Sequence, residues 1–471
     1  MIPGMRVRMK SYEFYRSECV TRIPFRFGIS TLTRAPQLTA RLELDTEAGP
    51  ATGYSADLLV PKWFEKDPDK SVEQDLQALL MSARAAFQAA AHPVEESPFA
   101  LWWRVYRQRV ESRPERAADR LVRGFGVALF ERALLDAACR AAGKSFFEAL
   151  QTDLFAVRPG AVLSELEGFD LAASLPEAPL QRIELRHTIG LLDPLRAAQI
   201  EPEQRVDDGL PQALDEDIRR YGLTLFKLKL EGDVERDFER WLEFKSVLDE
   251  QVNGKARFTV DGNEQFAELG PLIELLRRLD AERGGRSLLD GLLYIEQPLP
   301  RAESLDERHR TPLSALSEIA PVILDEADSG TGSFKAALAL GYGGISVKNC
   351  KGVLRALLNH CLCVARGVGF QSAEDLTNLG VLALQQDLAT VAALGLTHAE
   401  RNGHHYFRGL DHLPQAEARD ALAAHPDLYE PLGDSVALRI EQGALSIGSL
   451  QRPGYGYDLP IRIDQRTKVA T

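Results

Sequence analysis

The sequence predicts an α/β protein in which a closed barrel of parallel strands follows an N-terminal α+β domain. From about residue 182, short apolar runs alternate with longer helical runs eight times over about 220 residues. Repeated strand-then-helix units indicate a parallel sheet covered by helices, and eight units favour a closed barrel over an open sheet. The first 65 residues instead have the pattern of strands and hairpins.

The predicted N-terminal domain covers residues 1–150. Its segment LTARLELDTEAGPATG alternates apolar and polar residues into a turn that contains glycine, which predicts a half-buried antiparallel edge strand. Helical periodicity follows in SVEQDLQALLMSARAAFQAAA and again in GVALFERALLDAACRAAGKSFFEAL. Gly143 comes directly after the periodic part of the second segment and is predicted to end that helix.

The predicted barrel covers residues 151–410. Its predicted strands are, in chain order, IELRHTIGL, LTLFKLKL, ARFTVDGN, GLLYIEQP, APVILDEAD, GGISVKN, VGFQSAED and ATVAALGLTH. Stretches such as DFERWLEFKSVLDEQVNG and FKAALALGYGG lie between them and predict the covering helices. Residues 411–471 return to loop and strand character, and we expect this C-terminal segment to pack back on the N-terminal domain.

The composition is that of a globular chain of 471 residues with a net charge of −13. It contains no long basic run, so nucleic acid is not an expected partner. It also contains no apolar run long enough to span a membrane and no signal-peptide core, so we expect a cytoplasmic protein without membrane contact. The five cysteines are odd in number and scattered, and the pair Cys361–Cys363 lacks a full zinc ligand set, so we expect free thiols.

Ionisable side chains lie at the ends of consecutive predicted strands. Three such strands end in Asp261, Glu296 and Asp325, and lysines lie on the strands to either side. Chemistry in barrels of this kind is located at the carboxyl ends of the strands. Three converging carboxylates raise one another's pKa, so a cation must join them, and an all-oxygen set suits Mg²⁺. Any one of these acids would also suit the N-cap of the following helix. This alternative explains three acids at the ends of three consecutive strands poorly.

The strand LTLFKLKL carries Lys227 and Lys229 two positions apart, on the same face. An isolated pair of this kind commonly lies on a solvated strand face. In a catalytic barrel, the second cation would instead lower the pKa of the first lysine and allow it to act as a base. The predicted strand GGISVKN delivers another lysine, Lys348, at its end.

The ordered set of motifs resembles the enolase superfamily, in particular its muconate lactonizing enzyme-like and mandelate racemase-type branch. The motifs are KLK at Lys227–Lys229, VDGN at Asp261–Asn263, YIEQP around Glu296, LDEAD around Asp325 and ISVKNCKG around Lys348. The stretches PFRFG and EAGPATGYSADLLVPKWF resemble the capping domain of this family, and QRPGYGYDLP resembles its closing segment. The resemblance implies a TIM-like (β/α)7β barrel with an N-terminal α+β capping domain that the C-terminal segment completes.

The resemblance also implies Mg²⁺-dependent abstraction of the proton α to a substrate carboxylate, through a metal-stabilised enolate. The metal ligands of the family match Asp261, Glu296 and Asp325. The acid and base on opposite faces of the substrate match Lys229 and Lys348. Substrate-binding or supporting roles are expected for Lys227, Asn263, Glu326, Asp375 and Glu400. The specificity loops of the cap are expected to contain Phe25, Phe27 and Trp63.

Within these roles, Lys227 is expected to keep Lys229 partly neutral and to be within reach of the substrate carboxylate. Glu374 ends the seventh predicted strand beside Asp375, where either acid would bind substrate or cap the next helix. The charged residues and histidines of LTHAERNGHHYF, among them His404 and His405, are candidates for substrate contact or for a structural role.

Several alternatives remain open at this point. Two opposed lysines suit racemisation or epimerisation, and also cycloisomerisation or β-elimination. Two other functions are a catalytically silent barrel that binds a carboxylate ligand, and a Schiff-base aldolase that uses one lysine of KLK. The substrate is expected to be a small carboxylate and the protein a homo-oligomer, with extra length relative to the family near residues 66–115, 191–215 and 301–318.

Overall fold

The structure is a computed structural model that describes residues 4–112, 116–252, 256–280 and 287–470. Residues 113–115, part of the extra length expected near 66–115, lie outside the described residues. The N-terminal domain is an antiparallel sheet with helices packed on it. The elements up to the barrel are β1 (Val7–Phe27), β2 (Ser30–Thr46), β3 (Gly49–Leu58), α1 (Val72–Ala90), α2 (Pro98–Tyr106), α3 (Ala117–Ala142), α4 (Phe146–Gln151) and α5 (Leu171–Ser174).

The segment predicted as an antiparallel edge strand spans parts of two antiparallel strands. Residues 38–46 lie in β2, an inner strand that pairs with β1 on one side and with β3 on the other, both antiparallel. Residues 49–53 begin β3, which is the outermost strand of this sheet. Alternation of apolar and polar residues shows that one face is buried, but it does not show how many neighbours the backbone has. The stop predicted at Gly143 is confirmed, since this residue has φ 61° and forms a left-handed C-cap of α3.

Eight short parallel strands form the barrel. They are β4 (Arg182–Ile189), β5 (Leu225–Lys229), β6 (Arg257–Asp261), β7 (Leu292–Glu296), β8 (Val322–Leu324), β9 (Gly344–Val347), β10 (Phe370–Ala373) and β11 (His398–Arg401). They pair in chain order, and β11 also pairs with β4, which closes the barrel.

One helix lies between each pair of successive barrel strands. These helices are α6 (Leu214–Tyr221), α7 (Val234–Gln251), α8 (Gly270–Asp280), α9 (Arg310–Ser317), α10 (Ser333–Leu340), α11 (Val353–Arg366) and α12 (Leu382–Ala393). Eight strands with seven intervening helices confirm the predicted (β/α)7β barrel.

The run ATVAALGLTH, predicted as the last barrel strand, is helical over most of its length. α12 continues through Ala393, and β11 begins only at His398. Alanine is the strongest helix former, and Gly395, with φ 70°, follows the end of the helix. A short apolar run does not by periodicity distinguish a buried strand from a buried helix, which explains the error.

The C-terminal part contacts both the barrel and the N-terminal sheet. Its elements are α13 (Gly403–Tyr406), α14 (Gln415–Ala424), β12 (Tyr429–Leu432), β13 (Ser435–Leu438), β14 (Ala444–Ser446) and β15 (Thr467–Val469). β14 pairs with the start of β4, and β15 pairs with β1. The buried carboxylate of Asp136 on α3 accepts hydrogen bonds from the Tyr457 hydroxyl at 2.6 Å and the Tyr455 backbone N–H at 3.0 Å.

The cysteines agree with the expectation of free thiols. All five cysteines are free, and four of them are buried. Within the described ranges, every helix is too short or too polar to cross a bilayer.

Candidate active site

The strand-end acids and lysines lie together at the carboxyl ends of the barrel strands. Lys229 is aligned with Asp261 on the next strand, and Asp261 is aligned with Glu296. Asp325 directly follows β8, and Lys348 directly follows β9. Because the eight strands close in chain order, β5 and β9 are on opposite sides of the barrel. The two lysines therefore face each other, with the three carboxylates on the arc between them.

Each lysine of this pair is buried and held by a carboxylate. Lys229 is 6% exposed, and its Nζ donates to Asp261 Oδ2 at 2.6 Å. Lys348 is 5% exposed, and its Nζ donates to Asp325 Oδ2 at 2.6 Å. Burial would raise the pKa of Asp325, but the positive charges of Lys348 and Lys351 outweigh it and lower that pKa. Each of the two lysines is thus paired with one strand-end carboxylate.

Glu296 has the fewest hydrogen-bond partners of the three strand-end carboxylates, because neither Lys229 nor Lys348 pairs with it. Lys227 Nζ lies 2.6 Å from its Oε2, yet neither oxygen accepts a well-aligned hydrogen bond from a described residue. Burial and the negative charge of Asp261 raise the pKa of Glu296 well above its usual range. A buried, all-oxygen set with unsatisfied negative charge fits a hard divalent cation such as Mg²⁺. The residues that would hold it are Asp261, Glu296 and Asp325.

The three carboxylates do not converge on one point in this arrangement. Among the described residues, the group whose ligand atoms all lie within 4.8 Å of one another is a different one, formed by His187, Asp217 and His404. Ammonium groups separate the carboxylates instead, since Lys227 Nζ lies 3.0 Å from Asp261 and 2.6 Å from Glu296. Binding of a cation here therefore requires the lysines to move away from the carboxylate oxygens.

Lys227 lies deeper in the barrel than Lys229 and is fully buried. Its Nζ lies 2.6–3.0 Å from oxygens of four carboxylates, those of Asp261, Glu296, Glu374 and Glu400. Burial would lower the pKa of Lys227, but these negative charges raise it well above its usual range. Four protein carboxylates surround the ammonium group in this arrangement, and the expected contact of Lys227 with a substrate carboxylate stays a prediction. Its position beneath the strand-end residues agrees with the other role predicted for it, that of a supporting residue.

Asn263 and Glu326 lie beside the strand-end acids. The backbone N–H of Asn263 donates to Asp261 Oδ1 at 2.8 Å, and its side-chain Nδ2 donates to Glu326 Oε1 at 3.2 Å. Burial and the neighbouring Asp325 raise the pKa of Glu326 to about 7. These contacts orient Asp261 and place a second acid next to Asp325.

The acids at the ends of the last two strands have different surroundings. Asp375 accepts a hydrogen bond from the backbone N–H of Asn378 at 2.7 Å, so it stabilises its own loop, and burial raises its pKa to about 7. Glu400 faces the barrel interior, where Lys227 donates to it at 2.9 Å. Glu374 is also internal and accepts hydrogen bonds from Lys227 and from the Tyr294 hydroxyl, both at 2.9 Å.

Two residues that contact Asp325 received no role from the sequence. Gln297 Oε1 accepts hydrogen bonds from the backbone N–H groups of Asp325 at 2.9 Å and Ala327 at 3.1 Å. Lys351 Nζ lies 3.2 Å from Asp325 Oδ1 and donates to Ser346 Oγ at 2.6 Å. Gln297 is part of the motif YIEQP, and Lys351 is part of ISVKNCKG. Their places in these motifs could have indicated that they lie near the strand-end acids.

A loop of the N-terminal domain covers the Lys348 side of the site. Lys348 Nζ lies 4.6 Å from the centroid of the Trp63 ring. Arg301 holds this loop by donating to the carbonyl oxygens of Trp63 at 2.8 Å and Phe64 at 2.7 Å. Glu264 in turn accepts a hydrogen bond from Arg301 at 2.7 Å. Barrel loops thus fix the cap residue that contacts the lysine.

Phe25 and Phe27 lie at the end of β1, against the C-terminal side of the barrel. Phe25 stacks on Tyr406 with ring centroids 4.1 Å apart and planes at 22°, and Phe27 lies 5.1 Å from Phe25. Both phenylalanines are buried. Two histidines precede Tyr406, and neither faces the barrel interior. His404 contacts His187, and His405 contacts Asp217.

Comparison with known proteins agrees with this architecture. A family model described as enolase C-terminal domain-like matches residues 210–460, more than half of the chain. No curated protein sequence matches the chain. The structure is similar to that of the N-succinyl Arg/Lys racemase from Bacillus cereus ATCC 14579, with 14% identity over 98% of this chain and 100% of that chain and a TM-score of 0.63.

Two further solved structures are similar over nearly the whole chain. One is the dipeptide epimerase from Enterococcus faecalis V583 complexed with Mg and dipeptide L-Leu-L-Tyr, with 14% identity, coverage of 95% and 99%, and a TM-score of 0.62. The other is the muconate lactonizing enzyme from Pseudomonas fluorescens complexed with muconolactone, with 15% identity, coverage of 96% and 97%, and a TM-score of 0.60. At such identities the likeness establishes the fold. Together with the family match, it shows that the chain belongs to the enolase superfamily, among proteins of the muconate lactonizing enzyme and mandelate racemase type.

Proposed function

We propose that this protein is an Mg²⁺-dependent enzyme that removes the proton α to the carboxylate of a small-molecule substrate. Lys229 and Lys348 would be the acid–base pair, and Asp261, Glu296 and Asp325 would hold the ion. The observation that carries this proposal is the placement of the two lysines on opposite sides of the barrel with three carboxylates between them. Related structures of a dipeptide epimerase with Mg and of a lactonizing enzyme support it.

Proton transfer alone cannot account for the catalysis expected of such a site. General acid–base help contributes about 10²- to 10⁴-fold, whereas enzymes typically accelerate reactions by about 10⁶-fold or more. The remainder requires charge stabilisation. When bound, Mg²⁺ supplies positive charge that stabilises the negative charge left on the substrate. The carboxylates position that charge, while the buried setting of the lysines excludes water.

Each lysine must leave its carboxylate before it can accept a proton. Pairing with Asp325 raises the pKa of Lys348, although burial opposes this, because the carboxylate stabilises the ammonium form. Once a lysine is separated from its carboxylate and has lost its own proton to solvent, its neutral amine can remove the α proton on one face of the substrate. The ammonium form of the lysine on the other face then donates a proton to the α carbon. This two-sided arrangement suits racemisation or epimerisation, and a single active lysine would suffice for cycloisomerisation or β-elimination.

The function is tested by exchange of the α proton in deuterated water across a panel of small carboxylic acids, including dipeptides and N-acyl amino acids. We expect at least one acid to incorporate deuterium when Mg²⁺ is present, and a chelator to stop this incorporation. Acids that bind to the protein yet show no exchange with Mg²⁺ would indicate a silent binding barrel instead.

Replacement of Glu296 by glutamine tests the assignment of the cation site. Loss of partners that merely orient metal ligands costs about 10- to 100-fold in affinity or activity, so loss of a ligand is expected to cost more than about 100-fold. The measurement is the Mg²⁺ concentration that gives half-maximal exchange. Glu318→Gln, at an exposed position before β8, is the control and should match the parent. Equal Mg²⁺ dependence of all three proteins would contradict the assignment.

Replacement of Trp63 by alanine tests the role of the cap loop. A desolvated cation–π contact contributes about 2 kcal/mol or more. Its loss is therefore expected to slow proton transfer by Lys348 at least about tenfold. Exchange on the face served by Lys229 should change less. Trp63→Phe keeps an aromatic ring over the ammonium group and should retain most of the rate. Similar losses in both variants, or on both faces, would show that the ring acts only by filling space.

A further inference from the structure

A second group of ionisable side chains lies outside the barrel wall, behind β4. His187 is on this strand, Asp217 is on α6, and the turn of α13 carries His404 and His405. All four are at most 7% exposed. They come from three segments that are separate in the chain, and the pairing of β11 with β4 brings two of these segments together.

This cluster is separate from the proposed active site. The neighbours of His187 on the strand, Arg186 and Thr188, face the barrel interior, where Thr188 donates to Glu400 at 2.6 Å. Side chains alternate along a strand, so His187 faces outward toward α6. The wall of the barrel therefore lies between this cluster and the strand-end carboxylates.

The geometry of the cluster matches that of a metal site. His187 Nδ1 lies 3.0 Å from His404 Nε2, at hydrogen-bond distance, and the other ring nitrogen of His187, Nε2, lies 3.7 Å from Asp217 Oδ2. Because one ion binds only one of these two nitrogens, it would replace one of the two contacts. The ligand atoms of these three residues all lie within 4.8 Å of one another. Ligand atoms around tetrahedral Zn²⁺ are about 3.4 Å apart, so the widest pair would close by at most about 1.4 Å on binding.

The cluster also contains buried polar atoms without partners. Neither carboxylate oxygen of Asp217 accepts a well-aligned hydrogen bond from a described residue, although His405 Nδ1 lies 3.0 Å from Oδ2. His404 Nδ1 likewise has no hydrogen-bond partner among the described residues. Such atoms are costly in a folded interior unless a water or an ion satisfies them. His404 also lines a small cavity of about 30 Å³, which has room for a water molecule but is not lined by His187 or Asp217.

We propose that His187, Asp217 and His404 form a second metal site, for a Zn²⁺-like divalent ion. Imidazole nitrogens with one carboxylate are typical ligands of Zn²⁺ and related transition metals, whereas Mg²⁺ takes oxygen ligands. A water molecule would complete a four-coordinate set. This site is independent of the proposed reaction, because it shares no residue with the carboxylate site.

The position of the cluster assigns this ion a structural role at the contact between the barrel and the cap. Tyr406, next to the two histidines, stacks on Phe25 of the cap at 4.1 Å. The backbone carbonyl of His405 accepts a hydrogen bond from Arg22 of β1 at 2.9 Å. An ion that joins β4, α6 and α13 would fix the turn that holds both contacts, and it would raise the temperature of unfolding.

The test is titration of chelator-treated full-length protein with Co²⁺ in saturating Mg²⁺, followed by visible absorption. We expect one equivalent to give the intense absorption of four-coordinate cobalt, and one equivalent of Zn²⁺ to remove it and raise Tm. Asp217→Asn and His404→Ala should lose this signal. Glu296→Gln, in the carboxylate site, and His92→Ala, at an exposed histidine, should keep it. No such absorption in the parent would overturn the proposal, as would full absorption in both cluster variants.

X-ray absorption of the zinc-loaded parent gives a check that does not depend on the folding of any variant. Two imidazole ligands are expected at the zinc. A shell of oxygen ligands alone would place the ion at the carboxylates and would overturn the proposal. Failure of α-proton exchange with an intact cobalt signal would contradict the proposed reaction only.

Discussion

Replacing Lys229 with methionine is expected to lower α-proton exchange by about 10²- to 10⁴-fold on one face of the substrate, the contribution of a positioned acid or base. Replacing Lys348 with methionine should cause a loss of the same size on the other face. The reason is that β5 and β9 lie on opposite sides of the closed barrel, so each lysine reaches only one side of the α carbon. The measurement is deuterium incorporation into each enantiomer of an active substrate, made separately for each variant.

The control for both variants is Lys245→Met, because Lys245 is a buried lysine outside the barrel interior. Its Nζ donates to the carbonyl oxygen of Asp290 at 3.1 Å, near the amino end of β7 and away from the carboxyl ends of the strands. This variant should exchange both enantiomers at the parental rate. If the Lys229 and Lys348 variants bind Mg²⁺ normally but exchange both enantiomers as fast as the control, the two lysines are not the acid–base pair.

Replacing Lys227 with methionine is expected to lower the free energy of unfolding by about 3–5 kcal/mol, the cost of removing one partner from a buried ion pair. Here a single ammonium group serves carboxylates on four strands, among them Glu296 and Glu374, and its loss leaves several negative charges buried together. The measurement is urea unfolding with a chelator present, so that no divalent ion compensates for the missing charge.

Lys245→Met again provides the comparison, since it removes one hydrogen bond to a carbonyl and a contact of the ammonium group with the Phe258 ring at 5.3 Å. Together these losses should cost only about 1–2.5 kcal/mol. A second comparison is the double variant that combines Lys227→Met with Glu374→Gln. Removing one negative charge together with the ammonium group should recover part of the loss, as a double-mutant cycle would show. A Lys227→Met variant as stable as the Lys245→Met variant would rule out a supporting role for Lys227.

Much of the site was predictable because barrel strands obey a simple rule. Eight apolar runs separated by helical stretches predict eight parallel strands, and closure brings their carboxyl ends together whatever the lengths of the loops. An acid or lysine at the end of such a run, such as Glu296 or Lys348, is therefore placed near the others by the chain alone. The exception was the eighth strand, because an alanine-rich run before it suits a helix equally well.

The depth and partners of these residues required the tertiary structure. Alternation predicts the face on which Lys227 lies, but not that its ammonium group lies among four carboxylates, one of them Glu400, 173 residues later in the chain. The contact of Trp63 with Lys348 depends in the same way on how the cap packs on the barrel.

The histidine cluster shows the same limit most clearly. Its members His187, Asp217 and His404 have no common spacing in the sequence, and only the closure of β11 against β4 brings two of their segments together. The residues at the strand ends were thus readable from local pattern and strand order, since both are properties of neighbouring residues. Contacts between distant segments are set by side-chain packing, which exists only in the folded chain.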